Sequence, residues 1–205
     1  KEDLDQVVEM INHCSRPFVF VGGGAVIADA SKELKEFVYK VHAPVADSLM
    51  GKGAFDGTDD LYCGMLGMHG TKASNFGVSQ CDLLITVGAR FSDRVTGDTA
   101  RFAKNAKIIQ IDVDPAEINK NVMVDASVIG DVKEVLKRLN PRIEDHNHDA
   151  WIAEVTELKN KYPLKYDREA LTGPGIMEEI YRQTKERDTI IVTEVGQNQM
   201  WAAQY

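Results

Sequence analysis

Between Gly64 and Gln80 three glycines and a histidine run straight into a segment of helical character: Gly64-Met-Leu-Gly-Met-His-Gly-Thr-Lys-Ala-Ser-Asn-Phe-Gly-Val-Ser-Gln80. Thr71 is placed to cap that helix, and Lys72, Ala73, Asn75 and Val78 suit its body. Glycines ahead of a helix N-terminus let phosphate oxygens approach unpaired amides, where the helix dipole favours negative charge. A glycine-rich connection between strand and helix explains the same residues. Asp82-Leu-Leu-Ile-Thr-Val-Gly-Ala-Arg90 then reads as a buried strand ending in Gly-Ala-Arg, a second ligand-facing edge close behind the first.

Other strand ends offer similar groups. Gly22-Gly-Gly-Ala-Val-Ile27 follows a strand and precedes a helix, but Ile27 stands where a dinucleotide fingerprint needs its third glycine. A tight strand-to-helix turn accounts for it equally well. Ser48 and Leu49 follow a further strand, Arg90 another, Asp112 a third and Asp131 a fourth. An arginine can pair with a diphosphate, and strand-end carboxylates can accept from ribose or ribityl hydroxyls. Their recurrence along one edge favours nucleotide binding. His146 and His148 form an H-x-H motif in the hydrophilic stretch Glu144–Asp149, which reads as solvated linker because two ligands do not make a metal site.

Those groups need a scaffold. Leu4–Asn12 is an amphipathic helix, and Pro17–Gly22 is a continuous apolar run fit for a strand covered on both faces. A helix over 29–41 precedes the strand Ala43–Asp47. After Thr71 the pattern gives a helix, strands Asp82–Val87 and Lys107–Val113, a helix start at Asp114–Glu117, a strand Ser127–Asp131 and a helix Val132–Leu139. Alternation of this kind specifies an α/β fold with a doubly wound parallel sheet, whose ligands sit at the carboxyl ends of its strands. Residues 1–140 form this central nucleotide-binding domain. Residues 141–170 read as a linker carrying one helix around Trp151–Lys161. Residues 171–205 restart a βα pattern, with helix Pro174–Lys185 and strand Thr189–Thr193, too short to fold as an independent domain. A first residue that is not methionine and an end at Trp201-Ala-Ala-Gln-Tyr205 suggest a piece of something larger.

Composition narrows the function classes. The chain has 205 residues, 43% hydrophobic and 27% charged, enough to bury a core, and a net charge of −8 that argues against nucleic acid as partner. No stretch has the apolar length of a membrane span, and no signal peptide opens the chain. Cys14, Cys63 and Cys81 are odd in number and scattered, as expected in a reducing compartment. At least two should serve as buried small hydrophobes.

Leu66-Gly-Met-His-Gly70, Val87-Gly-Ala-Arg-Phe-Ser-Asp-Arg-Val-Thr-Gly97, Ile111-Asp-Val-Asp-Pro-Ala-Glu-Ile118 and Val195-Gly-Gln-Asn-Gln-Met-Trp-Ala-Ala-Gln-Tyr205 together resemble the catalytic (large) subunit of the acetolactate synthase, or acetohydroxyacid synthase, family of thiamine-diphosphate enzymes. The similarity spans nearly the whole chain: the family's central FAD-binding domain, the linker and the start of its thiamine-diphosphate-binding domain. It implies a parent that condenses two 2-oxo acids, pyruvate with pyruvate or 2-oxobutyrate, in branched-chain amino-acid synthesis. Thiamine diphosphate and Mg²⁺ would serve that chemistry, with FAD bound but without a net redox part. By position, FAD contacts fall on Gly22, Gly23, Gly24, Ser48, Leu49, Met68, His69, Gly70, Gly88, Arg90, Asp112, Val113, Gly130 and Asp131. Met68, Asp93 and Arg94 match the channel to the active site, where inhibitors of the family bind. Gly196, Gln197 and Gln199 match the motif that approaches thiamine diphosphate.

Two positions depart from the family pattern: Ser92 stands for its usual aspartate, and Asn198 for a common histidine beside the cofactor. The resemblance places the family's catalytic glutamate upstream of Lys1 and its Mg²⁺-binding motif beyond Tyr205. Glu194 matches no catalytic position. No catalytic residue or metal ligand is therefore assigned, and the fragment alone is expected to be inactive. The resemblance also implies a cytoplasmic homo-oligomer, dimer or tetramer, with a regulatory small subunit. A different thiamine-diphosphate enzyme (glyoxylate carboligase or an oxidase) and a non-catalytic nucleotide-binding module are the alternatives. The tail Gly196–Trp201 speaks against the module, and the Arg-Phe-Ser-Asp-Arg run for the synthase.

Overall fold

Every position of Pro17-Phe-Val-Phe-Val21 is buried, which a strand achieves only where both faces of its sheet are covered. This run is β1 of a six-stranded sheet. The others are β2 (Val45–Asp47), β3 (Tyr62–Met65), β4 (Leu83–Val87), β5 (Lys107–Asp112) and β6 (Ala126–Ile129), in the order β3-β2-β1-β4-β5-β6. All pairs are parallel. The order reverses between β1 and β4, the topological switch of a doubly wound sheet. The computed structural model describes residues 2–205, with side chains from Leu4 onward, and the chain divides into two units, Lys1–Tyr162 and Pro163–Tyr205.

In the first unit the two faces of the sheet bury different helices. Val19, Val21, Val45, Ile85, Val87, Ile109 and Ile111 form one core with α1 (Glu2–Asn12), α3 (Ser31–Val41) and α6 (Val132–Leu139). Phe18, Phe20, Ala46, Leu84 and Ile108 point the other way. They meet α4 (Lys72–Gln80), α7 (Asp149–Lys161) and the β4–β5 connection through Val78, Trp151, Val155, Phe91 and Ala103. In α6, Val132, Val135, Leu136 and Leu139 repeat at helical spacing and are buried, while Asp131 Oδ1 accepts from the Glu134 amide at the helix start. Thr71 caps α4 as its sequence predicts, its Oγ1 accepting from Ser74 N at 3.0 Å. At Asp114 the predicted helix start is a single 3₁₀ turn, Pro115–Glu117.

Three features differ from the sequence reading. Strand β3 was not foreseen, because this edge strand is only alternately buried and carries Gly64 at φ +89°. The short helices α2 (Gly23–Ile27), α5 (Asp93–Thr96) and α9 (Gln197–Gln204) were not foreseen either. Within the second unit, α8 (Gly173–Thr184) forms as predicted, but Thr189–Thr193 is not a strand. Ile190 is 87% and Val192 86% exposed. A lone extended segment has no ladder to satisfy its backbone groups, and this unit supplies none.

The span 141–170 is not a linker throughout. Trp151 is buried, and its indole Nε1 donates to the Pro17 carbonyl at 2.8 Å, which seats α7 beneath β1 as part of the first unit. The H-x-H motif straps this helix in place. His148 lies half-buried with Nδ1 2.8 Å from the Val41 carbonyl and Nε2 3.2 Å from that of Cys14. Its amide donates to His42 Nδ1. His146 stacks on it with ring centroids 5.4 Å apart, and its amide donates to Lys40 O. Among the described residues no three His, Cys, Asp or Glu converge as metal ligands.

Burial, and the neighbouring His148 charge, hold the His146 imidazole below its ordinary value. The neutral ring is the form the fold prefers, so its contribution is present above the ordinary histidine range and lost as pH falls through the depressed value. Acidifying from pH 7 to pH 5 should lower the melting temperature, and His146→Gln should flatten that dependence. An unchanged pH profile in the variant would remove His146 from the strap.

Candidate functional site

All six strands run the same way, so their carboxyl ends share one edge of the sheet. The sequence-predicted residues of the first unit stand on it: Gly22–Gly24 after β1, Ser48 and Leu49 after β2, Met68–Gly70 after β3, Gly88 and Arg90 after β4, Asp112 and Val113 at the end of β5, Gly130 and Asp131 after β6. Gly196, Gln197 and Gln199 belong to the second unit, where Gly196 precedes α9 and Gln197 begins it.

At the switch the glycines meet one another. Gly24 N donates to Gly88 O, and Gly22 N to Val87 O, both at 2.9 Å. A Cβ on Gly22 would lie 2.4 Å from the Gly88 carbonyl oxygen, and one on Gly24 2.8 Å from Gly88 Cα. Gly88 itself has φ +59°. The close approach that demands glycine here is of backbone to backbone.

The turn after β3 follows the same logic. Gly67, at φ +99°, would place a Cβ 2.4 Å from Arg94 O, and the Met68 amide donates to that oxygen at 2.9 Å. Asn75 on α4 grips Gly67 from the other side, accepting from its N–H at 3.3 Å and donating to its carbonyl at 3.1 Å. Gly70 N and Thr71 N donate to Gly67 O and Met65 O. The amides of Gly67, Met68, Gly70 and Thr71 are thus spent within the protein, and the turn presents outward the exposed side chains of Met68 and His69.

This contact also brings distant residues together. β3 and β4 are separated in the sheet by β2 and β1. The segment after β4 reaches across them, so Met68 adjoins Arg94 and its neighbour Asp93. Asp93 and Arg94 are exposed, with Asp93 Oδ1 accepting the Arg94 amide.

Beside them lies a cleft of about 540 Å³ lined by Arg90, Ser92, Asp93, Thr96, Lys120 and Asn121 among others. Arg90 is exposed, and its guanidinium has no hydrogen-bond or ion-pair partner among the described residues. Glu117, Lys120 and Asn121 escaped the sequence reading. Glu117 and Lys120 pair at 2.6 Å, and Asn121 Nδ2 donates to Phe91 O at 2.7 Å, tying the two walls. The buried Gln110 of β5 donates to Glu117 O. The signal for them was the helix start at Asp114, which folds the next residues back over the strand ends.

The carboxylates along this edge are partly engaged. Asp112 Oδ1 accepts from Asp114 N at 3.0 Å, and Asp131 caps α6. Ser48 Oγ accepts from Gly51 N, which leaves its own hydrogen to donate. Around them stand Met50, Met68, Val113 and Ile129, all more than half exposed. An unpaired guanidinium, spare carboxylate oxygens and an apolar rim suit a ligand with a diphosphate, hydroxyls and a flat ring. The three thiols do not contribute: burial pushes Cys14, Cys63 and Cys81 each up to about 12.

Asn75→Ala should free Gly67 and so loosen the Met68–Arg94 contact. Losing these partners should cost about 1–3 kcal/mol in chemical denaturation. A loss below about 0.5 kcal/mol, the scale of an ordinary surface substitution, would show that Asn75 does not hold the turn.

The family model for the thiamine pyrophosphate enzyme central domain matches residues 4–139. Among curated proteins, the chain is similar to the probable acetolactate synthase large subunit of Methanocaldococcus jannaschii, 43% identical over 98% of this chain and 36% of that protein. It is also similar to the acetolactate synthase large subunit of Cyanidium caldarium, 42% identical over 98% of the chain and 36% of that protein. With the acetolactate synthase isozyme 2 large subunit of Escherichia coli it shares 38% identity over 99% of the chain and 37% of that protein. The chain spans little more than a third of the length of these relatives.

Proposed function

Because the chain belongs to the thiamine pyrophosphate enzyme family through its central domain, we propose that it is part of an acetolactate synthase large subunit and that its sheet edge carries FAD. Relatives bearing that name match across nearly the whole chain, which supports the activity. The observation that carries the cofactor reading is the unpaired Arg90 in the wall of the cleft at the carboxyl edge, the edge that also holds Asp112 and the exposed Met68 and Val113.

In this reading Arg90 faces the diphosphate. Asp112 and the Ser48 hydroxyl take the ribityl or ribose hydroxyls, and Met50, Met68 and Val113 shield the ring from water. Gly22, Gly24 and Gly88 act at one remove, by letting the turns close on each other. Met68, Asp93 and Arg94 stand together where 2-oxo acids would enter. Gly196, Gln197 and Gln199 approach thiamine diphosphate, which would supply, with Mg²⁺, the carbon nucleophile that joins two 2-oxo acids. The words large subunit in the names of the relatives support a complex with a smaller subunit, and the proposal extends to a regulatory role for that subunit and to a homo-oligomer in the cytoplasm. No helix among the described residues is long and apolar enough to cross a membrane.

In the intact enzyme, Arg90→Ala should weaken FAD binding. A charge-assisted hydrogen bond is worth about 1.5–3 kcal/mol, roughly tenfold to a hundredfold in Kd by flavin fluorescence. Unchanged flavin affinity would remove Arg90 from the site, and preference for NAD over FAD would overturn the cofactor.

The 205 residues supplied with pyruvate, thiamine diphosphate, Mg²⁺ and FAD should form no acetolactate. Groups that act as a unit fail together when some of them are missing. Turnover by the purified chain, free of host enzyme, would place the catalytic centre within these residues.

A further inference from the structure

Asp47 closes β2 immediately before the turn that carries Ser48 and Leu49, and it is 3% exposed. Tyr62 of β3 donates its hydroxyl to Asp47 Oδ2 at 2.9 Å, and Lys52 Nζ donates to the same hydroxyl at 2.9 Å while lying 3.7 Å from Asp47 Oδ2. Asp47 Oδ1 is buried without a hydrogen-bond partner. Leu66 N donates to Asp47 O, which ties the start of the 66–70 turn to the root of the 48–51 turn, and Ser48 N donates to Val21 O at the end of β1, each at 2.9 Å. Lys52 directly follows Gly51, whose amide closes the 48–51 turn on Ser48. A buried carboxylate with one oxygen unsatisfied costs stability, and its place at this junction asks for a reason beyond packing.

We propose that Lys52, Tyr62 and Asp47 are positioning residues: a side-chain relay that fixes the turns at 48–51 and 66–70 to each other and so sets the spacing of the groups that face the cofactor. Tyr62, which begins the strand leading into the 66–70 turn, is the bridge: it accepts from Lys52 and donates to Asp47, the residues on either side of the 48–51 turn. The two turns then move as one piece. The effect on flavin rests on the cofactor reading above; the anchoring of the turns does not.

Amide hydrogen exchange on the 205-residue chain tests the relay. Tyr62→Phe and Lys52→Met should each speed exchange at Gly51 and Leu66 together by about tenfold, the scale of one lost hydrogen bond. Val19 and Ile85, in the central strands, should not change. Lys52→Arg keeps a donor and should restore the protection that Lys52→Met loses. Unchanged rates at Gly51 and Leu66, or a rise shared by Val19 and Ile85, would overturn the proposal.

A pH profile gives a readout that simple packing would not. The charged and titratable groups that set the state of Asp47 are Lys52 and Tyr62, and burial outweighs both to raise its carboxyl above the usual range. A raised carboxyl contributes most at low pH and loses that contribution as pH rises through its folded value. The melting temperature of Asp47→Asn should therefore lose ground to the parent between pH 7 and pH 4, and a constant difference would overturn the assignment. Where the chain binds FAD, Tyr62→Phe should weaken the affinity about three- to tenfold for one neutral hydrogen bond acting at a distance, and an unaltered Kd would overturn the positioning role. Failure of the intact enzyme to take FAD would overturn the cofactor reading alone, with the exchange rates still deciding the relay.

Discussion

The backbone contact between the turns after β1 and β4 is the constraint on which the ligand-facing edge depends. Gly22 and Gly24 lie so close to Gly88 that no side chain fits at the first two, and the Gly24 amide and Gly88 carbonyl bond across the gap. The switch point of the sheet is where strands diverge and a crevice opens. Here the crevice is floored by main chain, so the side chains that follow, Arg90 above all, are lifted to the rim. Widening this contact by one methyl group would displace α2 and the β4–β5 connection together.

From that junction the architecture follows from parallel pairing. Each crossover must return the chain to the amino edge, and doing so covers one face of the sheet. The β1–β2 crossover and the helix after β6 cover the first face; α4 and the β4–β5 connection cover the second. The second face would remain thin without α7. Trp151 completes it, and the half-buried histidines of the H-x-H motif carry the chain around the amino edge to reach it. Residues that look like a solvated connection are therefore part of the core's closure, at the end of the sheet opposite the proposed cofactor edge.

Period and continuity made most of this legible in the sequence. Pro17–Val21 is an unbroken apolar run, Leu83–Val87 is broken only by the buried Thr86, and α6 shows an unmistakable helical stripe behind an aspartate cap. What escaped were elements defined by contact rather than by pattern. β3 is four residues with a glycine at positive φ, and only its pairing with β2 makes it a strand. Thr189–Thr193 has the composition of a strand but no neighbour within its unit, so composition alone misleads. Among the site residues, the strand-end groups were recognisable because topology dictates where strands end. Glu117, Lys120 and Asn121 were not, because their position depends on how an irregular connection folds back.

The glycine-rich run after β3 shows how one motif can support opposite mechanisms. Glycines before a helix suggest a cradle of free amides, and a cradle binds phosphate through main chain. In this chain the cap, Asn75 and the Arg94 carbonyl take up those amides. The conformational freedom of Gly67 is used instead to let Arg94 approach from a strand three places away in the sheet. What this corner offers outward is side chains: Met68 and His69 from the turn, Asp93 and Arg94 from the segment laid over it. A main-chain cradle would hold any phosphate. A surface of methionine, arginine and aspartate chooses by shape and charge, as the proposed seat for one flat cofactor with an entry for small acids requires.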